Sequence, residues 1–254
     1  MNLIIYFVRV LRGDDIGITF IQKETEDNPD FNQIYYDTSN QILNIPAEKI
    51  RHHGGQAYNY AQHHFMQYYK GGVEPLIHFY NVHQPKTIYE KHFINKINGG
   101  QFSLPWSDIK NKNISGEHGL GPEHGHSAFG PISEAKLQLE VERLNYCLKS
   151  IKKRGYEVEN SYSREINGFP RGYFLLSNKG QWIFKLVGAK HRVAALVHLG
   201  WEIIPVNLEP NFPRCIYESQ ISNWPGVLSG DYTVEHAKII FNSYFRKSDL
   251  KLWQ

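Results

Sequence analysis

Residues 185–195 read KLVGAKHRVAA. An apolar, strand-type run ends at Val187, Gly188 permits a sharp turn, and a helix-type run from about Lys190 reaches His198 and is stopped by Gly200. Before it comes a hairpin signature: Gly172–Ser177, the turn residues Asn178-Lys179-Gly180, then Gln181–Val187. After it, Glu202–Leu208 reads as a third strand, with Pro205 marking an edge or an irregularity. Further upstream, Ser133 is a good N-cap behind Gly130-Pro131. Leu137, Val141, Leu144, Leu148 and Ile151 step by 4, 3, 4 and 3 and so share one helical face. Lys136, Glu140, Glu142, Arg143, Lys149 and Lys152 are assigned to the other face. Lys152-Lys153-Arg154 suits a solvated, negative helix end, and Gly155 is its stop.

The remaining segments carry weaker signals. Asn2–Leu11 and Ile16–Gln22 read as strands, Glu24–Asn32 as an acidic loop, and Ile34–Tyr36 and Ile42–Ile45 as short strands. Gln56–Tyr69 reads as a helix stopped by Gly71-Gly72, Pro75–Tyr80 as a strand, and Val234–Phe245 as a final helix capped by Thr233. His52-His53 and His63-His64 are read as surface or partner-facing, and Trp224-Pro225-Gly226 as a turn packed on the core. Residues 98–127 are rich in Gly, Asn, Ser and His with little periodicity, which suits a functional loop and a soft boundary.

With 254 residues, 41% hydrophobic and 21% charged, the chain can bury a substantial core. Its 14 Phe, 16 Tyr and 5 Trp exclude disorder over most of its length. A net charge of +3 is too small to argue for nucleic acid. Cys147 and Cys215 make no disulfide framework and no CxxC, and Leu3–Val8 is too short for a membrane span or a signal h-region. A cytoplasmic protein with free thiols is the expectation.

Two constellations carry chemistry. Around Gly188 the outward-pointing N–H groups of a helix start coincide with Lys190, His191 and Arg192, which makes an anion site, and phosphate is the commonest anion. The second lies in residues 116–126, GEHGLGPEHGH, where three of the 13 His and two Glu fall together. In an extended loop His124 and His126 point to one side and could hold a metal or a substrate. Glu117 or Glu123 could be a general base, and carboxylates there could place Mg²⁺ between nucleotide phosphates. Glu123 and His118 are the Mg²⁺ candidates, and Glu117, Glu123, His124 and His126 the catalytic ones.

The order of a helix ending LKSIKKRGY, a hairpin, and VGAKHRVAALVHLGWEIIPV over residues 131–208 resembles the ParB/sulfiredoxin superfamily. Gly188–Ala195 reads GAKHRVAA, closer to the GGCHRYAA of sulfiredoxins and to the free serine kinases of that fold than to the GERRYRAA of chromosome-partition ParB proteins. The resemblance implies that His191 and Arg192 contact nucleotide phosphates and that the helix start at Ser133 borders the nucleotide pocket. Lys190 stands where sulfiredoxin has its cysteine, and Cys147 does not replace it, so sulfinic acid repair is excluded. Glu165 would face the pocket by the resemblance alone. The expected fold is α+β: a ParB/sulfiredoxin-like core at 105–210, a mixed α/β region at 1–104 packed on it, and a C-terminal helical extension at 211–254.

The resulting expectation is an ATP-dependent kinase using Mg²⁺, with Gly188, Lys190, His191, Arg192 and Ser133 on the phosphates. Its acceptor would be a hydroxyl of a small molecule or a sugar. Asn223–Gly230, NWPGVLSG, resembles ParB-like proteins of bacterial surface-polysaccharide loci, which makes a glycan intermediate a candidate acceptor. A ParB-like DNA-associated or regulatory protein is the alternative, but the 46 residues after Leu208 leave no room for the usual helix-turn-helix module and dimer domain. A nucleotide-binding module without turnover is the third reading.

Overall fold

The apolar hairpin forms as the sequence predicts, and it lies in the middle of a sheet. The computed structural model describes residues 29–31, 34, 42–94, 97, 102–107, 119–156, 168–210, 212–247, 249 and 251–253. Six strands are described: β1 (Leu43–Pro46), β2 (Ile50–Arg51), β3 (Arg171–Leu176), β4 (Trp182–Leu186), β5 (Ile203–Leu208) and β6 (Cys215–Tyr217). The sheet order is β1-β5-β3-β4-β2, with β6 also beside β3. β3 and β4 are antiparallel with Phe174 opposite Phe184, and β2 runs parallel to β4. β5 and β6 lie parallel to the two ends of β3. β1 closes the other side of β5 with Asn44 opposite Pro205. Pro205 is therefore on an inner strand, but it precedes Asn207, where β5 first meets β3, so its missing N–H breaks no ladder there.

Alternation along the hairpin sorts its side chains onto two faces. Phe174, Trp182, Phe184 and Leu186 join one core, and Tyr173, Leu175 and Ile183 join another. The first is covered by α1 (His64–Gly71), α2 (Val73–Val82), α4 (Glu134–Arg154) and α5 (Lys190–His198). The second packs on the short helix α3 (Ile88–Lys91), Trp106, Trp224 beside α6 (Pro225–Leu228), and α7 (Val234–Asn242). The architecture is mixed α/β with helices on both faces of a mixed sheet, consistent with the α+β expectation. Because β1 and β2 are strands of this same sheet, the segment from Leu43 is part of it rather than a separate layer.

Caps behave as read. Ser133 Oγ accepts from Lys136 N at 3.1 Å, Thr233 Oγ1 from His236 N at 3.2 Å, and Gly155 ends α4 at φ 76°. Residues 152–154 are exposed, and Trp224 is buried. Four expectations are corrected. Residues 75–80 are helical, because Leu76, Phe79 and Tyr80 at i, i+3 and i+4 bury one face of α2. The helix expected from Gln56 begins only at His64. Before it, Asn59 Oδ1 accepts from the amides of Ala61 and Gln62, a local turn that competes with helix. Lys136 and Glu140, assigned to the solvated face of α4, are fully buried. Ile34 is helical rather than extended. The strands expected before residue 29, and Glu117, His118 and Glu165, lie outside the described residues. Among the described residues no helix is long and apolar enough to cross a membrane, and both cysteines are free.

The stripe on α4 makes a direct test. Leu144 is fully buried and Tyr146 is 58% exposed on the same helix. Leu144→Ala should cost about 2–5 kcal/mol of unfolding free energy, and Tyr146→Ala under about 0.5 kcal/mol, by urea denaturation.

Candidate functional site

The turn between β4 and α5 is held by the hairpin itself. Val187 N and Gly188 N both donate to the Arg171 carbonyl, at 2.7 and 3.2 Å. Ala189 follows in the left-handed region at φ 63°, a conformation that a non-glycine residue adopts at a cost of roughly 1 kcal/mol or more. Its carbonyl accepts from Arg192 N and Val193 N. Among the described residues the amides of Ala189 and His191 donate to no backbone acceptor. A Cβ built on Gly188 meets nothing within 4 Å, so the space over this turn is open.

The three residues expected to converge here diverge, because successive residues on a helix point about 100° apart. The Lys190 ammonium donates to Ser127 Oγ, and the Arg192 guanidinium donates to the Gly168 carbonyl. His191 turns inward, stacked on Phe65 at 4.7 Å, with Nε2 2.5 Å from Glu140 Oε2. Glu140 Oε1 lies 3.0 Å from Lys136 Nζ, an ion contact without hydrogen-bond alignment. Burial opposes the charge on Glu140, but His191, Lys190 and Lys136 outweigh it and hold the carboxyl down to about 2. Burial lowers His191 to about 4 against the pull of Glu140, so a neutral ring donates Nε2–H to the carboxylate at pH 7.

The Glu/His loop is not extended. Residues 122–124 form a 3-10 turn and Gly125 has φ 88°, so His124 and His126 point apart. His124 Nδ1 pairs with Ser133 Oγ at 2.8 Å, and Nε2 is 3.6 Å from the exposed Glu123 carboxylate. His126 instead stacks on Phe129 at 4.9 Å and meets the His53 ring edge-on at 5.8 Å. Among the described residues no group of three His, Cys, Asp or Glu is placed to hold a metal. Of the expected Mg²⁺ ligands, Glu123 is exposed at this turn and His118 lies outside the described residues.

His126 leads to a cluster that sequence reasoning missed. His53 lies within the electrostatic reach of Lys91, Lys185, His126 and Lys190. Lys185 sits on the second face of β4, 3% exposed, with Nζ 5.0 Å from the Tyr173 ring centroid. Lys91 Nζ lies 4.9 Å from the Phe102 ring and 5.5 Å from Phe129. No carboxylate among the described residues pairs with either amine. Burial lowers Lys91 to about 8, and burial with help from Lys91 lowers Lys185 to about 7. The best-defined cavity, about 380 Å³, lies elsewhere, between His83, Gln84, Glu90, Phe93 and Trp253, and contains no lysine.

Three of the four paired histidines are interior, not surface, and His53 is half-buried. His52 is 2% exposed, and His63 and His64 are fully buried. Tyr58, His63, His64 and Phe79 stack in series at 4.2, 4.8 and 4.0 Å, and His52 Nδ1 meets His63 Nε2 at 3.2 Å. His52 Nε2 and His64 Nδ1 have no partner. The available signal was density: seven of the 13 His fall between residues 52 and 92, more than a solvated surface needs.

Burial lowers His63 to about 3 and His83 to about 4. Folded pKa values below the unfolded one mean that protons are taken up only on unfolding, so stability is present above about 6.5 and lost as pH falls. Between pH 7.5 and 5.5, His63, His83 and His191 together should remove about 4 kcal/mol of unfolding free energy, measured by urea denaturation at both values. Glu140→Ala, which removes the carboxylate beside the buried Lys136, should cost about 3–5 kcal/mol at pH 7.5 in the same assay.

Comparison with known proteins adds no relative: no family model matches the chain, no curated protein matches it, and no solved structure matches it.

Proposed function

We propose that the protein is a nucleotide-dependent phosphotransferase with a ParB/sulfiredoxin-like core, acting on a hydroxyl of a small molecule or sugar. The observation that carries this reading is the start of α5. Gly188 leaves open space, Ala189 and His191 offer amides with no backbone acceptor, and Lys190 is the first helical side chain. Free amides, a helix dipole and an amine at one point are what a phosphate tail requires. Bound there, a nucleoside triphosphate would supply the phosphoryl group.

The chain's own residues then divide the work. Lys190, on the side of the helix facing Ser127, holds phosphate oxygens, while His191 is committed to Glu140 and fixes α5 against α4. Arg192 stands about 200° from Lys190 around the helix, toward Gly168 and Tyr156, and contributes less to the clamp. Glu123, exposed at its turn and next to His124, is the candidate base for the acceptor hydroxyl, and Ser133 fixes His124.

Lys190→Ala should weaken nucleoside triphosphate binding about ten-fold to a hundred-fold, the value of a charge-assisted hydrogen bond, and Arg192→Ala should weaken it less. Calorimetry on the folded variants measures both. Glu123→Gln should lower turnover while binding persists. No binding of any nucleoside triphosphate to the unaltered protein would end this reading. Binding without transfer to any hydroxyl acceptor would leave a regulatory nucleotide module.

A further inference from the structure

The positive charge on the second face of β4 is separate from the start of α5 and is not needed to hold a nucleotide there. Lys185 occupies a strand position whose neighbours on that face are Ile183 on its own strand, Tyr173 opposite on β3, and Arg51 on β2, whose guanidinium donates to the Glu48 and Tyr244 carbonyls. Lys185 is 3% exposed and has neither a carboxylate nor a hydrogen-bond acceptor among the described residues. Lys91 comes from a different element, α3, and lies over two aromatic rings in the same unneutralised condition. Two imidazoles, His53 and His126, complete the group and meet at 5.8 Å. Of the carboxylates in the described interior, Glu140 is already engaged by Lys136 and His191. Burying amines without counter-charge costs stability unless an anion occupies the site in the working state. The depressed pKa values of both lysines report that cost.

We propose that Lys91, Lys185, His53 and His126 form an acceptor subsite for a phosphate monoester dianion. Two amines match two negative charges, where a single carboxylate would leave one amine uncompensated. His126 of this group directly precedes Ser127, which accepts from the Lys190 ammonium, so a phosphorylated acceptor held here lies toward the transferring end of the nucleotide. The substrate class becomes a hydroxyl compound already carrying a phosphate, such as a sugar phosphate. The word "acceptor" rests on the phosphotransferase reading, but the anion site itself does not.

The test titrates the full chain by calorimetry with inorganic phosphate, glucose 6-phosphate, glucose, acetate and ATP. The unaltered protein should bind phosphate and glucose 6-phosphate in preference to glucose and acetate. Lys185→Met keeps the apolar stem and removes the charge, and it should weaken both phosphate ligands about ten-fold or more with ATP affinity unchanged. Lys190→Ala should do the reverse. Should Lys185→Met fail to fold, Lys91→Met, at a half-buried position, gives the same readout. Unchanged phosphate binding in a folded lysine variant overturns the subsite. Loss of phosphate binding in Lys185→Met with no ATP binding to the unaltered protein keeps the anion site and rejects the nucleotide reading. Competition between ATP and glucose 6-phosphate for one site rejects the acceptor assignment, because the cluster then serves the nucleotide's own phosphates.

Discussion

The helical side of the sheet is organised by one buried carboxylate. Glu140 projects from α4 and meets Lys136 one turn earlier on the same helix and His191 on α5. A carboxylate without water must be answered by donors, and those donors fix the register of α5 against α4. That register places His191 inward, and helix geometry then sends Lys190 and Arg192 to opposite sides. The open turn at Gly188 owes its position to this contact and to the Arg171 carbonyl that holds Val187 and Gly188.

The opposite arrangement obtains on the other face of β4. Lys185 is buried against the Tyr173 ring and the half-buried Lys91 lies beside Phe102 and Phe129, with no described carboxylate to answer them. One face of the sheet thus holds a compensated charge and the other an uncompensated one. The first is structural in character, since its groups satisfy one another. The second has the character of a binding site, since its groups need something from outside. The buried His63 and His64 stack with Tyr58 and Phe79 of the first core, where imidazoles pack as aromatic rings.

Particular residues show how far local reading reaches. Ser133, Thr233 and Gly155 were legible because capping is decided within a turn of the chain. The hairpin was legible because its apolar runs and its Asn178-Lys179-Gly180 turn are adjacent. Residues 75–80 misled because a run this short fits strand or helix equally, and packing of Leu76, Phe79 and Tyr80 decided it. Lys136 and Glu140 misled because charge was taken as exposure. Their positions at 136 and 140 continue the line to buried Leu144 at intervals of four, which was a usable signal. Lys185 gave none, since one lysine in an apolar strand has no local partner to reveal it.

The sequence by itself determined the order of elements from α4 to β5, the two helix starts at Ser133 and Lys190, and the mixed α/β class, because propensity, periodicity and caps act over a few residues. Only the tertiary structure decided which charges are buried, which histidines are interior, and which lysines gather around His53. Those outcomes depend on residues far apart in sequence meeting in space, as His53 meets His126 and Lys190 meets Ser127. Desolvation and Coulomb energy are set by distance and burial after folding, and neither is written in the spacing along the chain.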